Sequence, residues 1–228
     1  MKSTVLLVHG AMHTPWIFDS LRAQLALRGV DSHAVQLPSS SPDSAAALGL
    51  HEDASTVRAA IEAIDTPVVL AAHSYGGVPA TWAAAETPVG HLVYSAAFAL
   101  RPGVSMMEWM GGAFPPNWHR SPDGLAVKVG DPEQSIFSGV DPAVTAQAVK
   151  RLNWEGMGAF TQTLAAAPVN TPTTYIVATK DPALPPAVQE RWAADASHVA
   201  RIPSGHSPHL SHPQQVADIL AEVAARTP

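Results

Sequence analysis

The sequence contains no cysteine, which excludes disulfide bonds, thiol nucleophiles and thiolate metal sites. Charged residues make up only 14% of the chain, the formal net charge is −6, and Lys and Arg form no cluster. We therefore expect no nucleic-acid partner. No apolar run approaches the length of a membrane span, and the N-terminal run is too short for a signal peptide. These absences predict a cytoplasmic protein without a membrane partner.

The pattern of apolar residues predicts an α/β protein with one compact core. The chain has 228 residues, of which 46% are hydrophobic, enough for a single globular domain. Six short apolar runs predict a sheet of roughly six mostly parallel strands. They are Thr4–Val8, Asp31–Gln36, Pro67–Ala72, His91–Ser95, Thr173–Ala178 and His198–Ile202. Helices are predicted between and after them, on both faces of the sheet, at Trp16–Leu27, Glu52–Ile64, Tyr75–Ala85, Pro185–Ala194 and Pro213–Ala225.

The connection after the fourth of these strands is too long to be a simple loop. Residues 101–170 hold four of the six Met, three of the six Trp and three of the five Phe. We expect residues 1–100 and 171–228 to form the core, and 101–170 to form a small helical lid inserted into it. Its apolar side chains either line a substrate pocket or pack as the insertion's own core. The pocket candidates are Met106, Trp109, Met110, Phe114 and Trp118.

A serine at the end of the third predicted strand has the setting of a nucleophile. The segment Ala72-His-Ser-Tyr-Gly-Gly77 follows a buried apolar run and opens a helix. It resembles the G-x-S-x-G elbow, in which small residues allow a sharp turn that exposes the serine hydroxyl. Here Ala72 stands in place of the first glycine. The pattern favours Ser74 as a catalytic nucleophile.

A serine nucleophile needs a base to accept its proton and an acid to orient that base. Among eleven histidines, His206 lies in a loop directly after the last predicted strand, where ligand-facing groups of a parallel sheet occur. Asp181 follows the preceding strand, although an aspartate before proline is also common in turns. The order Ser74, Asp181, His206 matches that of a catalytic triad on such a sheet. His209 and His212 are interpreted as residues at the start of the final helix.

An acyl-transfer site also needs donors for the oxyanion of the tetrahedral intermediate. The backbone N–H of Tyr75, at the start of its helix, is one candidate. The other is the N–H of Ala11, in the loop after the first strand, where Gly10 permits a tight turn.

These motifs together resemble the α/β-hydrolase superfamily, over nearly the whole chain. More narrowly, the sequence is similar to the branch that contains plant methylesterases, hydroxynitrile lyases and bacterial esterases. The segment Val8–Trp16 resembles the branch's H-G-A-x-H-G-x-W opening, from which Thr14 and Pro15 depart. The elbow is similar to its G-H-S-x-G-G, and Gly205–Pro213 to its G-H-S-P-x-L-S-x-P.

The resemblance implies the α/β-hydrolase fold and the same roles for the triad and for the two oxyanion donors. It places His13 either near the pocket or as a brace of the oxyanion loop, and we favour the brace. No metal or cofactor is implied. Members of the branch often pair, so a homodimer is the assembly that it suggests.

Two positions bear on the chemistry. Lyases of this branch typically carry a threonine where Ala11 stands and a lysine where Ser207 stands, and that lysine supplies positive charge for the departing cyanide. Their absence favours hydrolysis of a small to medium hydrophobic carboxylic ester. The alternatives are cyanohydrin cleavage by a hydroxynitrile lyase, C–C bond cleavage, lactonase or perhydrolase chemistry on the same triad. A hydrolase-like ligand receptor is a further alternative of a different class.

Overall fold

A computed structural model of the protein describes residues 3–227. This part of the chain contains ten strands: β1 (Thr4–Val8), β2 (Ser32–Val35), β3 (Ser40–Ser41), β4 (Val68–His73), β5 (His91–Ser95), β6 (His119–Arg120), β7 (Ala126–Lys128), β8 (Trp154–Gly156), β9 (Thr173–Ala178) and β10 (His198–Ile202). Its α-helices are α1 (Asp19–Leu27), α2 (Leu50–Glu62), α3 (Gly77–Glu86), α4 (Met106–Trp109), α5 (Pro142–Lys150), α6 (Met157–Thr161), α7 (Pro186–Ala193), α8 (Pro208–Ser211) and α9 (Pro213–Arg226). Short 3₁₀ turns cover Pro15–Phe18, Ser44–Ala46 and Ser74–Gly76.

Six strands form one parallel sheet, which confirms the predicted fold class. Their order across the sheet is β10-β9-β5-β4-β1-β2. Every residue of β1, β4 and β5 is buried, as expected for central strands covered on both faces. In register, His73 at the end of β4 lies beside Ser95 at the end of β5. The residues that follow these strands therefore share one edge of the sheet.

Helices cover both faces because alternate residues of each strand point to opposite sides. Leu6 of β1 and Leu70 of β4 pack with Val57 of α2 on one face. Leu7 and Ala71 pack with Leu220 of α9 on the other. Both faces are closed by apolar side chains, which leaves the carboxyl ends of the strands as the place for polar chemistry.

The inserted segment 101–170 differs from the helical lid that the sequence predicts. It contains the short helices α4, α5 and α6, but also β6, β7 and β8. Together with β3 of the core, these three strands form a small antiparallel sheet in the order β3-β8-β7-β6, in which only β8 pairs with β3. Strands of two or three residues are too short to show a period-2 pattern, so their pairing was not visible in the sequence.

None of the helices within residues 3–227 is long and apolar enough to cross a membrane.

Candidate active site

Ser74 lies at a sharp turn between β4 and α3. Its φ angle is +52°, a left-handed conformation that is uncommon outside glycine. A Cβ atom at position 76 would lie 2.4 Å from the carbonyl oxygen of His9, and one at position 77 would lie 2.3 Å from that of Phe98. Both positions therefore require glycine, because the backbone of the neighbouring loops approaches too closely for any side chain. This close packing holds Ser74 in its strained conformation.

Ser74, His206 and Asp181 form a chain of hydrogen bonds. His206 Nε2 lies 2.9 Å from Ser74 Oγ, and His206 Nδ1 lies 2.7 Å from Asp181 Oδ2. His206 and Asp181 are 2% and 3% exposed, and Ser74 is 9% exposed. The serine is thus the member of the chain that solvent and small molecules reach most easily. The structure brings together all three residues that the sequence selected from three separate loops.

The carboxylate of Asp181 receives four hydrogen bonds. Oδ1 accepts from the backbone N–H groups of Ala183 and Leu184, at 2.8 and 2.9 Å. Oδ2 accepts from His206 and also from Gln189 Nε2 at 2.8 Å. A carboxylate is an acceptor-only group when ionised, so a site of four donors suits it and fixes its plane.

Gln189 on α7 is a site residue that sequence reasoning missed. Its side chain is fully buried, and its Oε1 accepts from the N–H of Ala178 at 2.9 Å. This contact fixes which end of the amide faces Asp181. Gln189 lies one helical turn before the buried Ala193, so a polar residue on the apolar face of the predicted helix was the available signal.

The loop after β1 lies directly against Ser74. A Cβ atom on Gly10 would approach Ser74 Cβ to 2.8 Å, which places the next residue, Ala11, beside the serine. Within residues 3–227 the N–H of Ala11 has no acceptor. Tyr75 stands in the first turn of its helix, where backbone N–H groups have no intrahelical acceptor. Both groups are available to a ligand oxygen.

Several buried histidines support this loop and His206. His9 Nδ1 donates to Gly10 O at 2.9 Å, while its Nε2 accepts from the N–H of Leu37 at 3.1 Å. His73 Nε2 donates to the carbonyl of His206 at 2.9 Å. Burial lowers the pKa of His9 to about 4 and holds that of His73 well below its ordinary value. Both rings are therefore neutral supports near pH 7.

His13 and His209 are also interior residues. The ring of His13 packs edge-on against Phe137, with centroids 5.6 Å apart, and lies 5.9 Å from that of His73. Burial lowers the pKa of His13 to about 3. His209, in the short helix α8, lies 4.4 Å from His73. These contacts place His13 in the packing beneath the loop.

The apolar residues of the insertion divide into two groups. Phe114 and Trp118 stack with centroids 5.4 Å apart, and both line an open cavity of about 360 Å³ together with Met107 and Arg120. By contrast, Met106 is only 3% exposed and is a core residue. Trp109 packs on Phe98 and Trp192 at 5.1 and 5.6 Å, and Met110 is partly buried against the same core. Of the five pocket candidates in the insertion, two line this cavity.

No group of three or more His, Asp or Glu side chains within residues 3–227 is arranged to hold a metal ion. The arrangement that is present can activate a hydroxyl group and transfer a proton across His206.

Residues 5–219 match the model of the alpha/beta hydrolase family. The chain is 28% identical to a probable hydrolase, R7, from a Phoma species, over 98% of both chains. It is 25% identical to a pyrethroid hydrolase from Sphingobium wenxiniae, over 96% of this chain and 87% of the relative. The structure of the Arabidopsis methylesterase MES16 is similar in fold, with a TM-score of 0.84, 21% identity, and coverage of 98% of this chain and 99% of the other. Because the family model matches most of its length and the fold agrees, the chain belongs to the alpha/beta hydrolase family.

Proposed function

We propose that this protein is a serine hydrolase that cleaves small to medium hydrophobic carboxylic esters through an acyl-enzyme intermediate. The observation that carries the proposal is the continuous hydrogen-bonded chain from Ser74 through His206 to Asp181, with distances of 2.9 and 2.7 Å. Separations of this size allow proton transfer without rearrangement of the side chains.

In the proposed reaction, Ser74 Oγ attacks the ester carbonyl while His206 Nε2 accepts the hydroxyl proton. Asp181 holds Nδ1–H and stabilises the imidazolium. The N–H groups of Ala11 and Tyr75 donate to the oxyanion of the tetrahedral intermediate. His206 then protonates the leaving alcohol, and water repeats the same steps on the acyl-enzyme to release the acid. These steps need no metal ion or organic cofactor.

The proposed substrate class rests on the apolar residues of the insertion. The cavity lined by Phe114 and Trp118 offers aromatic surface to an apolar substituent. We interpret residues 101–170 as a lid over the core formed by 1–100 and 171–228. The names of two similar proteins, a pyrethroid hydrolase and a methylesterase, agree with ester chemistry.

Cyanohydrin cleavage is the alternative chemistry that the site supports less well. Ser207, at the position where lyases of the branch carry lysine, is fully buried, and its hydroxyl donates to the carbonyl of Ile136 at 2.7 Å. This side chain provides no positive charge for a departing cyanide. A panel of esters, lactones and cyanohydrins, scored for acid, aldehyde and peracid products, separates the alternatives; tight binding without product would indicate a receptor.

The direct test replaces the nucleophile. Ser74→Ala should lower kcat on a chromogenic short-chain ester by several orders of magnitude, while Ser20→Ala on the exposed surface of α1 should not change it. A fluorophosphonate probe should add one phosphonyl group to the wild type and to Ser20→Ala, and none to Ser74→Ala. Ester hydrolysis that persists in Ser74→Ala would refute the assignment.

A further inference from the structure

A buried glutamate of the insertion contacts the loop that carries Ala11. Glu155, on β8, is fully buried, and its Oε2 accepts from the N–H of Met12 at 2.5 Å. Met12 is the residue after Ala11. The backbone N–H of the nearby Asn153 donates to the carbonyl of Met12 at 2.8 Å. Both polar groups of the Met12 backbone are therefore bound by one short segment of the insertion.

Met12 needs this support because its backbone is strained. Its φ angle is +68°, a left-handed conformation that costs a residue with a Cβ atom about 1 kcal/mol or more. A residue keeps such a conformation only where its surroundings impose it. The contacts from Glu155 and Asn153 restrain the Met12 backbone, and with it the direction of the adjoining Ala11 N–H.

The same glutamate is connected to the side chain of Tyr75, the residue whose N–H is the second proposed oxyanion donor. Glu155 Oε1 lies 2.7 Å from Ser39 Oγ, and the N–H of Ser39 donates to Asp53 Oδ1 at 2.9 Å. Asp53 Oδ2 in turn accepts from the hydroxyl of Tyr75 at 2.6 Å. Glu155, Ser39 and Asp53 are all fully buried, and Tyr75 is 1% exposed. One continuous chain of hydrogen bonds, which includes no residue of the triad, thus runs from Met12 to Tyr75.

We propose that Glu155 is a positioning residue for the oxyanion hole, and that the Glu155–Ser39–Asp53–Tyr75 chain sets the relative position of the Ala11 and Tyr75 N–H groups. The proposal rests on the ester-hydrolase function proposed above. It gives the insertion a part in catalysis that is separate from any contact with substrate, because the insertion supplies the acceptor that fixes one half of the hole.

Glu155 and Asp53 are two buried acids, and together they carry one proton near pH 7. Within residues 3–227 neither Glu155 nor Asp53 forms an ion pair. Burial, followed by repulsion from Asp53, raises the pKa of Glu155 to about 8. Burial raises the pKa of Asp53 to about 6. Near pH 7 Glu155 is therefore mainly neutral and Asp53 ionised, and a neutral Glu155 still accepts from Met12 through Oε2.

The surrounding elements offer little to offset a second negative charge. The ionisable groups on them are His51, Glu52, Asp53, Arg58 and Glu62 of α2, Tyr75 after β4, Lys128 of β7, and His9 and His13 of the loop after β1. Arg58 is already paired with Glu86, at 2.8 Å. His9 and His13 are neutral near pH 7 because burial lowers their pKa values to about 4 and 3. Lys128 lies over the ring of Trp154, with its Nζ 4.6 Å from the ring centroid. Ionisation of Glu155 thus adds a second negative charge on the oxyanion side of the site.

The test compares two substitutions at one position. Glu155→Leu removes the acceptor of the Met12 N–H, and we expect kcat on a chromogenic ester to fall by up to about 10²- to 10³-fold, the size seen when an oxyanion donor is lost, with little change in KM. Glu155→Gln keeps an amide oxygen for Met12 and should retain kcat within about threefold at pH 7. Glu133→Gln, an exposed residue of the same insertion, is the matched control and should match the wild type.

Two further readouts separate positioning from loss of structure. A trifluoromethyl ketone forms a tetrahedral adduct with the serine, so its inhibition constant should rise in Glu155→Leu in proportion to the fall in kcat. Wild-type kcat should decline above about pH 8 as Glu155 ionises, whereas Glu155→Gln should lack this decline. If Glu155→Leu does not fold, Ser39→Ala, which breaks the chain between the two acids, provides the same comparison.

The outcomes distinguish this proposal from the proposed function. A wild type that neither hydrolyses esters nor accepts a phosphonyl group would refute both. An active wild type whose folded Glu155→Leu or Ser39→Ala variant keeps full kcat and full inhibitor affinity would refute the positioning role alone. So would an alkaline decline that is identical in the wild type and Glu155→Gln.

Discussion

The four hydrogen bonds to Asp181 allow the effect of Asp181→Asn on activity and stability to be predicted in detail. The aspartate accepts from four donors, two at each oxygen: Ala183 and Leu184 at Oδ1, and Gln189 and His206 at Oδ2. Asparagine has one oxygen and one NH₂ group. In either orientation of the amide, two of the four bonds are lost and an N–H donor faces two other donors.

The orientation with the NH₂ group toward His206 should be favoured, because the imidazole can relieve the conflict by changing its tautomer. Nδ1 then becomes an acceptor, and Nε2 carries the hydrogen and faces Ser74 Oγ. In that tautomer Nε2 cannot accept the serine proton. We therefore expect kcat to fall by about 10⁴-fold, as for the corresponding change in other triads, which corresponds to about 5.5 kcal/mol in the activation barrier.

The conflict with Gln189 cannot be relieved in this way. Its Oε1 is held by the N–H of Ala178, and its Nε2 also donates to Leu184 O at 2.7 Å. One buried donor without an acceptor costs about 1–3 kcal/mol, so the melting temperature should fall by roughly 2–12 °C. Ester hydrolysis and calorimetry measure the two effects, with Asp195→Asn, an exposed aspartate, as the control. A folded Asp181→Asn enzyme with kcat within tenfold of the wild type would refute the reasoning.

Three other changes should have distinct effects. Gln189→Leu removes both the donor to Asp181 and the acceptor of the Ala178 N–H, so we expect a lower kcat and a free energy of unfolding in urea that is smaller by about 2–4 kcal/mol. An unchanged kcat would show that the backbone N–H groups alone hold Asp181. Gly77→Ala would bring a Cβ atom to 2.3 Å from the carbonyl of Phe98, so it should destabilise the fold by about 1–3 kcal/mol although alanine favours helices; a rise in melting temperature would contradict this. Glu155→Gln should change how stability depends on pH. The pKa of Glu155 is raised from 4.5 to about 8, so between these pH values the folded state binds a proton that the unfolded state lacks. Wild-type stability therefore falls as pH rises through this window. If the free energy of unfolding, measured by denaturant titration, changes equally with pH in the two proteins, the shift is contradicted.

The sheet and the candidate triad were predictable because their signals are local. The buried run of β4 and the small residues around Ser74 stand together in the chain, and Asp181 and His206 each follow a strand directly. Strand boundaries were less exact, since β2 covers only Ser32–Val35 of the predicted 31–36. A local pattern specifies the element and the loop after it, and the sheet brings the loops together.

The supporting residues were not predictable because their partners are distant in sequence. Glu155 is 143 residues from Met12 and 116 from Ser39. Its role depends on the pairing of β8 with β3, two strands of three and two residues. Gln189 likewise acts only through the packing of α7 on the end of β9. Contacts of this kind become visible once the fold is known, and no motif marks them.

The structure also accounts for Thr14 and Pro15, the two departures from the opening motif of the branch. Where the motif has glycine, Thr14 has φ −131° and ψ 168°, an extended conformation that any residue adopts. Pro15 occupies the first turn of a 3₁₀ helix, where its missing N–H leaves no acceptor unpaired. The loop's one left-handed residue is Met12, with φ +68°, and its backbone is held from outside the loop by Glu155 and Asn153. Neither departure therefore alters the turn beside Ser74. The shape of this turn depends on the contacts from the insertion more than on the motif's glycine, which Thr14 replaces in this chain.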